Sequence, residues 1–169
     1  PPFDVRELEA RLAAAARRWE DDLRDALIAA QGEGRGNELY RTFGSGFPAG
    51  YRDGVAARAA VPDVALMAGL SADTPLALSL YRPLEAAPDV LRFKLFHRGS
   101  PVPLSDSLPM LERMGLKVLD ERPYRITPQG TEAVWMHDFG MQSAVADAEV
   151  EIDALHAVFE DAFARVFRG

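Results

Sequence analysis

The chain predicts an α+β fold: a two-layer sandwich, with a four-stranded sheet of antiparallel type carrying two helices on one face, preceded by a helical segment. Three observations lead there. The spacing of apolar residues changes from helical to alternating near residue 71. Beyond that point the elements read strand, strand, helix, strand, strand, helix. Pro123 falls inside the third extended run, and a proline in a sheet is confined to an edge or a bulge because it cannot donate to the ladder. The expected division is a helical segment over 1–70 and an α+β domain over 71–169.

The first element is a long amphipathic helix from Asp4 to about Gln31, with Val5, Leu8, Leu12, Ala15, Trp19, Leu23 and Leu27 on one stripe. Asp4 and Glu7 have the spacing of a capping box, Phe3 is placed to staple onto Leu8, and Gly32 stands at the C-terminal end. Such a stripe needs a partner surface, since each large side chain buried there stabilises by roughly 1.5–3 kcal/mol. The run Gly32–Gly36 (GEGRG) reads as a loop, and Asn37–Phe43 as a short helix. Gly44–Gly54 reads as a connector anchored by Phe47 and Tyr51. Its glycines follow no strand and lack both a phosphate-loop lysine and dinucleotide spacing. Pro62–Ala68 closes the segment as a helix with proline in its first turn.

Leu76, Leu78 and Leu80 then alternate with Ala77, Ser79 and Tyr81, giving a strand with one buried face that Pro83 ends. After the loop LEAAPD, Leu91, Phe93 and Leu95 alternate with Arg92, Lys94 and Phe96 in a second strand over Val90–His97. Ser105 is the expected N-cap of the next helix, with Asp106 in its first turn, Leu108, Leu111 and Met114 on one face, and Gly115 as its left-handed stop. Pro109 argues for a start as late as Ser107. Leu116–Ile126 is the edge strand. Ala133–Gly140 has apolar residues on both faces and so belongs in the sheet interior. A last helix over Asp147–Phe167 carries Ile152, Leu155, Phe159, Phe163 and Val166. Moving the first strand to the end of this order gives βαββαβ, so the arrangement ββαββα is a circular permutation of the ferredoxin-like one. Its spatial strand order is first, second, fourth, third, which places the Pro123 strand at an edge.

With 169 residues, of which 48% are apolar, the chain is large enough to bury a core. The absence of cysteine excludes disulfides and thiolate metal sites. There is no apolar run of about 18 residues and no greasy leader, so a soluble, cytoplasmic protein without a membrane partner is expected. A net charge of −7 argues against nucleic acid. The first residue is not Met, so the chain reads as a piece of something longer.

The three histidines, His97, His137 and His156, lie in different elements, and adjacent His137 and Asp138 face opposite sides of a strand, so no metal site is expected. Ser105, Ser107 and Ser143 sit in no nucleophile elbow. Glu112, Asp120 and Glu121 read as surface carboxylates rather than an acid/base pair. No residue is therefore assigned a catalytic, cofactor-binding or metal role. The more informative cluster is DERPY (Asp120–Tyr124) beside His137–Gly140. Arg122, Tyr124 and His137 there are candidate interface residues, set against the plainer reading of edge-strand chemistry that satisfies buried polar groups.

PMLERMGLKVLDERPYRI, followed by VWMHDFGMQ and preceded by RFKLFHRGSPVPLSDSLP, LSLYRP and FPAGYRDG, resembles the large NAD-specific glutamate dehydrogenases of bacteria. The resemblance runs in consistent order from Phe47 to Gln142; the first and last helices match only in character. It implies the ACT-like part of a long N-terminal region, ahead of the dehydrogenase domain. The implied parent is a homo-oligomeric enzyme that oxidatively deaminates L-glutamate to 2-oxoglutarate and ammonia with NAD. The chain has no dinucleotide fingerprint after a strand and no glycine-flanked lysine, so none of the family's catalytic or cofactor residues transfers to it. ACT-like domains often pair edge to edge and bind amino acids near the loop leading into their first helix. Here that loop is His97–Ser105, which makes Gly99, Ser105 and Asp106 the candidate effector site. The implied partners are other domains of the same chain, homo-oligomer subunits and an amino-acid effector. A free-standing amino-acid sensor and a protein-interaction scaffold docking through the first helix are the alternatives.

Overall fold

A computed structural model describes residues 4–81, 90–113 and 115–143, the side chains of Asp106, Ser107, Met110 and Ser143 excepted. The expectations for Phe3, the LEAAPD loop, Pro83, Met114, His156 and the helix over 147–167 lie outside the described residues. The chain divides into two compact units. One takes in the residues up to Gly69 together with Arg125–Ala133; the other takes in Leu70–Tyr124 together with the chain from Val134.

The first unit is helical: α1 (Val5–Gln31), α2 (Glu33–Phe43), α3 (Ala49–Gly54), a 3-10 turn (Ala57–Ala60) and α4 (Val61–Ala68). Asp4 caps α1 by accepting from the Arg6 N–H at 3.0 Å. Glu7 does not complete the expected box, because its carboxylate pairs with Arg11 one turn on, at 3.1 Å. The expected loop over Gly32–Gly36 shrinks to one residue. Only Gly32 leaves the helical region, at φ 86°, and Glu33 already belongs to α2. Gly36 is needed for closeness, since a Cβ there would lie 2.6 Å from the Ile28 Cα of α1.

Leu23, Leu27, Leu39, Phe43, Val64 and Met67 are buried. Trp19 meets Phe47 (centroids 5.3 Å, 61°) and Tyr51 (6.1 Å, 88°) edge-on, and its indole N–H donates to the Val55 carbonyl at 2.8 Å. Phe47 and Tyr51 are the anchors expected of the connector, both buried. The Tyr51 hydroxyl donates to the buried Asp63 carboxylate at 2.7 Å. The α1 stripe is buried only toward its C-terminal end; Val5, Leu8 and Leu12 are 61%, 43% and 62% exposed. Arg125–Ala133 joins this unit through backbone bonds from the Thr127 N–H to the Gly46 carbonyl (3.0 Å) and from the Gln129 N–H to the Thr42 carbonyl (2.9 Å).

The second unit holds β1 (Leu76–Tyr81), β2 (Val90–Arg98), α5 (Leu104–Arg113), β3 (Leu116–Tyr124 of the strand Leu116–Ile126) and β4 (Val134–Ser143). The sheet is antiparallel with order β1-β2-β4-β3, the order expected from the permuted topology, and the strand with Pro123 is at an edge. The register pairs Leu80 with Phe93 and Phe93 with Phe139. One sheet face therefore presents Leu78, Leu80, Leu91, Phe93, Leu95, Phe139 and Met141, packed with Val102, Leu111 of α5 and Leu116 into one core. Gly115 ends α5 at φ 79° as expected. Ser105 is not the cap: the helix already includes Leu104, so Ser105 lies inside its first turn, and the later start near Ser107 that Pro109 argued for is not taken. A proline near a helix start removes a ladder N–H but leaves the turns before it free to form.

Candidate functional site

The polar residues of the second unit gather at one end of α5 and on both faces of the β2–β4–β3 part of the sheet. On β2 and β4, alternation decides which face each residue takes. Arg92 and Lys94 of β2 face away from the core, and the register sets them opposite Gly140 and Asp138 of β4. The Arg92 Nε donates to Asp138 at 3.0 Å, and its Nη2 donates to Asp120 of β3 at 3.3 Å. Asp120 also accepts from the Gly140 N–H at 3.2 Å, over a position where a Cβ would come within 2.8 Å of that carboxylate. Glycine at 140 thus lets the Asp120 carboxylate lie across β4. Burial by itself would lower the Arg92 pKa. The charge and hydrogen bond of Asp138, with Asp120 and Tyr81 adding, outweigh it, and the guanidinium pKa lies above its ordinary value. The Lys94 ammonium sits 5.2 Å from the Tyr81 ring centroid.

His137, one residue from Asp138, faces the core and is only 5% exposed. Its Nδ1 lies 3.0 Å from the Glu121 carboxylate of β3, and its Nε2 accepts from the Val102 N–H at 3.3 Å. Val102 belongs to the loop from Gly99 to Pro103, between β2 and α5. Ser100 of the same loop receives a second imidazole: its carbonyl accepts from the His97 Nδ1–H at 2.7 Å. Gly99 turns the loop at φ 90°, a conformation that favours glycine.

The structure therefore places Gly99, Ser105 and the backbone of Asp106 along one loop-to-helix junction; the Asp106 side chain lies outside the described residues. Ser105 is exposed. Arg122 is exposed and Tyr124 half-buried, both on β3, whereas His137 has both ring nitrogens engaged inside the unit. Sequence reasoning grouped DERPY with HDFG but missed Arg92, the cation that joins Asp120 to Asp138. The signal was present in the alternation that puts Arg92 and Asp138 on the same sheet face. Among the described residues no three His, Asp or Glu side chains are grouped as a metal site would need, and no helix is long and apolar enough to cross a membrane. In the helical unit, an open depression of about 680 Å³ between α1 and α2 is lined by Arg24, Glu33, Asn37, Tyr40 and Arg41. Its Arg24 is engaged by Asn37 at 3.0 Å and lies over the Tyr40 ring.

Comparison with known families gives two matches, one after the other along the chain. Residues 26–70 match the helical motif 2 of glutamate dehydrogenase, and residues 75–155 match its ACT3 domain. The chain belongs to the glutamate dehydrogenase family. Among curated relatives, the NAD-specific glutamate dehydrogenase of Halomonas elongata is 42% identical over 99% of this chain, and that of Pseudomonas aeruginosa is 39% identical over 99%. The enzyme of that name from Mycobacterium tuberculosis is 31% identical over 82%. The chain spans about a tenth of the length of these relatives: 10%, 10% and 9%. As a glutamate dehydrogenase segment, it carries the ACT fold in the permuted strand order described above.

Proposed function

We propose that this chain is the non-catalytic, regulatory and oligomer-forming ACT-like region of an NAD-dependent glutamate dehydrogenase. The parent enzyme would convert L-glutamate and NAD to 2-oxoglutarate, ammonia and NADH, binding NAD outside this segment. The observation that supports this reading is the match of residues 26–70 to the helical motif 2 and of residues 75–155 to the ACT3 domain of glutamate dehydrogenase. The site geometry supports it. The polar groups of the sheet bind one another across β2, β4 and β3, which suits a part that transmits or holds rather than one that transforms a substrate. Arg122 and Tyr124 on the edge strand are the residues through which another domain or subunit would dock.

An amino-acid effector would bind at Gly99, Ser105 and Asp106, its carboxylate meeting the N–H groups of the first α5 turn and its ammonium meeting Asp106. The test is calorimetric titration of the full-length enzyme with L-glutamate, L-aspartate and L-arginine, repeated with Gly99→Ala and Ser105→Ala. Saturable heat for one amino acid, lost in both variants, is the expected result. Heat that survives both variants would move the effector site elsewhere, and no heat with any amino acid would leave the region as architecture. The exposure of Val5, Leu8 and Leu12 favours a second reading, in which α1 docks the region onto a partner protein. Loss of assembly on changing Leu8 and Leu12 to Gln, with no change in effector response, would support it.

A further inference from the structure

We infer that His137 is a proton-operated latch on the loop between β2 and α5. The inference concerns the loop named above as the effector site, but its test uses no amino acid, so either reading can fail while the other stands. The argument begins with hydrogen bookkeeping. A backbone N–H can only donate, so the Val102 contact fixes His137 Nε2 as an acceptor without a hydrogen. The neutral ring then carries its hydrogen on Nδ1 and donates it to Glu121 at 3.0 Å. This tautomer satisfies both ring nitrogens and the N–H of a residue that is 4% exposed.

A second proton can enter the ring only at Nε2. There it meets the Val102 N–H, donor against donor at 3.3 Å, and the bond that holds the loop is lost. The bond to Glu121 survives and becomes charge-assisted, so the ring stays in place while the loop is released. His97 responds in the opposite way. Its Nδ1–H donates to the Ser100 carbonyl, and protonating its other nitrogen leaves that bond intact. Of the two imidazoles on this loop, only His137 lets go. Among the described residues, the titratable groups facing His137 are Glu121 from β3 and His97, the next residue after Leu95 on the same face of β2. Leu95 lies opposite it in the register, and the Phe139 ring stacks 6.2 Å from it. Asp138 is on the other sheet face, with Arg92.

The loop reads Gly-Ser-Pro-Val-Pro, and prolines carry no amide hydrogen, so the Val102 amide stands between two silent positions. Hydrogen exchange of the full-length enzyme, read by mass spectrometry on peptides that differ by this residue and corrected for intrinsic rates, measures it directly. At about pH 8 the Val102 amide is protected, and at about pH 5.5 its protection falls by about tenfold or more, the factor that a lost buried hydrogen bond of about 1.4 kcal/mol produces. His137→Gln keeps an acceptor for Val102 and a donor for Glu121 without a titrating ring, and holds the amide protected at both pH values. His137→Phe removes the acceptor and exposes it at both. His97→Gln leaves the pH response of Val102 as it is. Equal protection of Val102 at both pH values in the native protein would overturn the inference, as would a full pH response in His137→Gln or its loss in His97→Gln.

Discussion

Gly36→Ala is the sharpest test of how the helical unit is packed. The new Cβ would lie 2.6 Å from the Ile28 Cα, 2.7 Å from the Ile28 N and 2.9 Å from the Leu27 carbonyl carbon. All three are backbone atoms of α1, so no side-chain rotation relieves the contact. Ordinary carbon contacts begin near 3.5 Å, so α1 and α2 must part by about 1 Å. Overpacking of this kind costs about 1–3 kcal/mol, against a gain of about 1 kcal/mol from placing Ala rather than Gly in a helix. The net expectation is a loss of up to about 2 kcal/mol. Gly34→Ala, in the same helix, meets nothing within 4 Å and should gain a few tenths to about 1 kcal/mol. Urea denaturation followed by circular dichroism reads both as shifts of midpoint at constant slope. If Gly36→Ala matched Gly34→Ala, or stabilised the chain, the close approach of the two helices would be refuted.

Two further predictions concern buried and titrating groups of the same unit. Tyr51→Phe removes the 2.7 Å bond to a carboxylate that is 2% exposed, and should lower the denaturation midpoint by the equivalent of about 1–3 kcal/mol; an unchanged midpoint would show that this bond contributes nothing. Burial, then the charges of Glu20 and Asp21, push the Tyr40 phenol above its ordinary value of 10.0, while Arg24 pulls it down. The folded state therefore keeps the Tyr40 proton to higher pH than the unfolded chain does. Its contribution to stability is full below that ordinary value and is lost as pH rises through the folded pKa. The fall in midpoint between about pH 9 and about pH 11 should be smaller in Tyr40→Phe, and an identical fall would assign the effect to other groups.

The parts of the fold that were legible in the sequence rest on local rules with no competing solution. Gly115 had to end α5 because only a residue at ease with positive φ continues the chain there, and Pro123 had to lie at an edge because it cannot donate. The order of the four strands followed from reading the elements as a permuted ferredoxin-like arrangement, and the place of Pro123 agreed with it. The errors arose where a residue served a distant contact. Gly36 looked like loop because glycine is a poor helix former, yet its lack of a side chain is what α1 requires of α2. Ser105 looked like a cap because serine usually is, but Leu104 already belongs to the helix. In the site, the acidic and histidine members were found as neighbours in sequence, whereas their partners Arg92 and Val102 stand 46 and 35 residues away from Asp138 and His137. No local pattern announces such a pairing until the strand order is known.

The nine residues Arg125–Ala133 bear on how this region can be inherited or cut. Family matching treats the helical motif (26–70) and the ACT3 domain (75–155) as successive cassettes, with a seam near residue 70. Yet the carbonyls of Thr42 and Gly46 are capped by amides of Gln129 and Thr127, and Gly46 has no room for a side chain beneath the Thr127 carbonyl, 2.7 Å from where a Cβ would stand. A shortened gene ending at the seam would remove part of the helical unit's own hydrogen bonding, and a transplanted ACT3 domain would carry away nine residues that belong to its neighbour. Duplication, swapping or truncation in this part of the enzyme must therefore move the two modules as a pair, because the border that is clean along the sequence is interlocked in the folded chain.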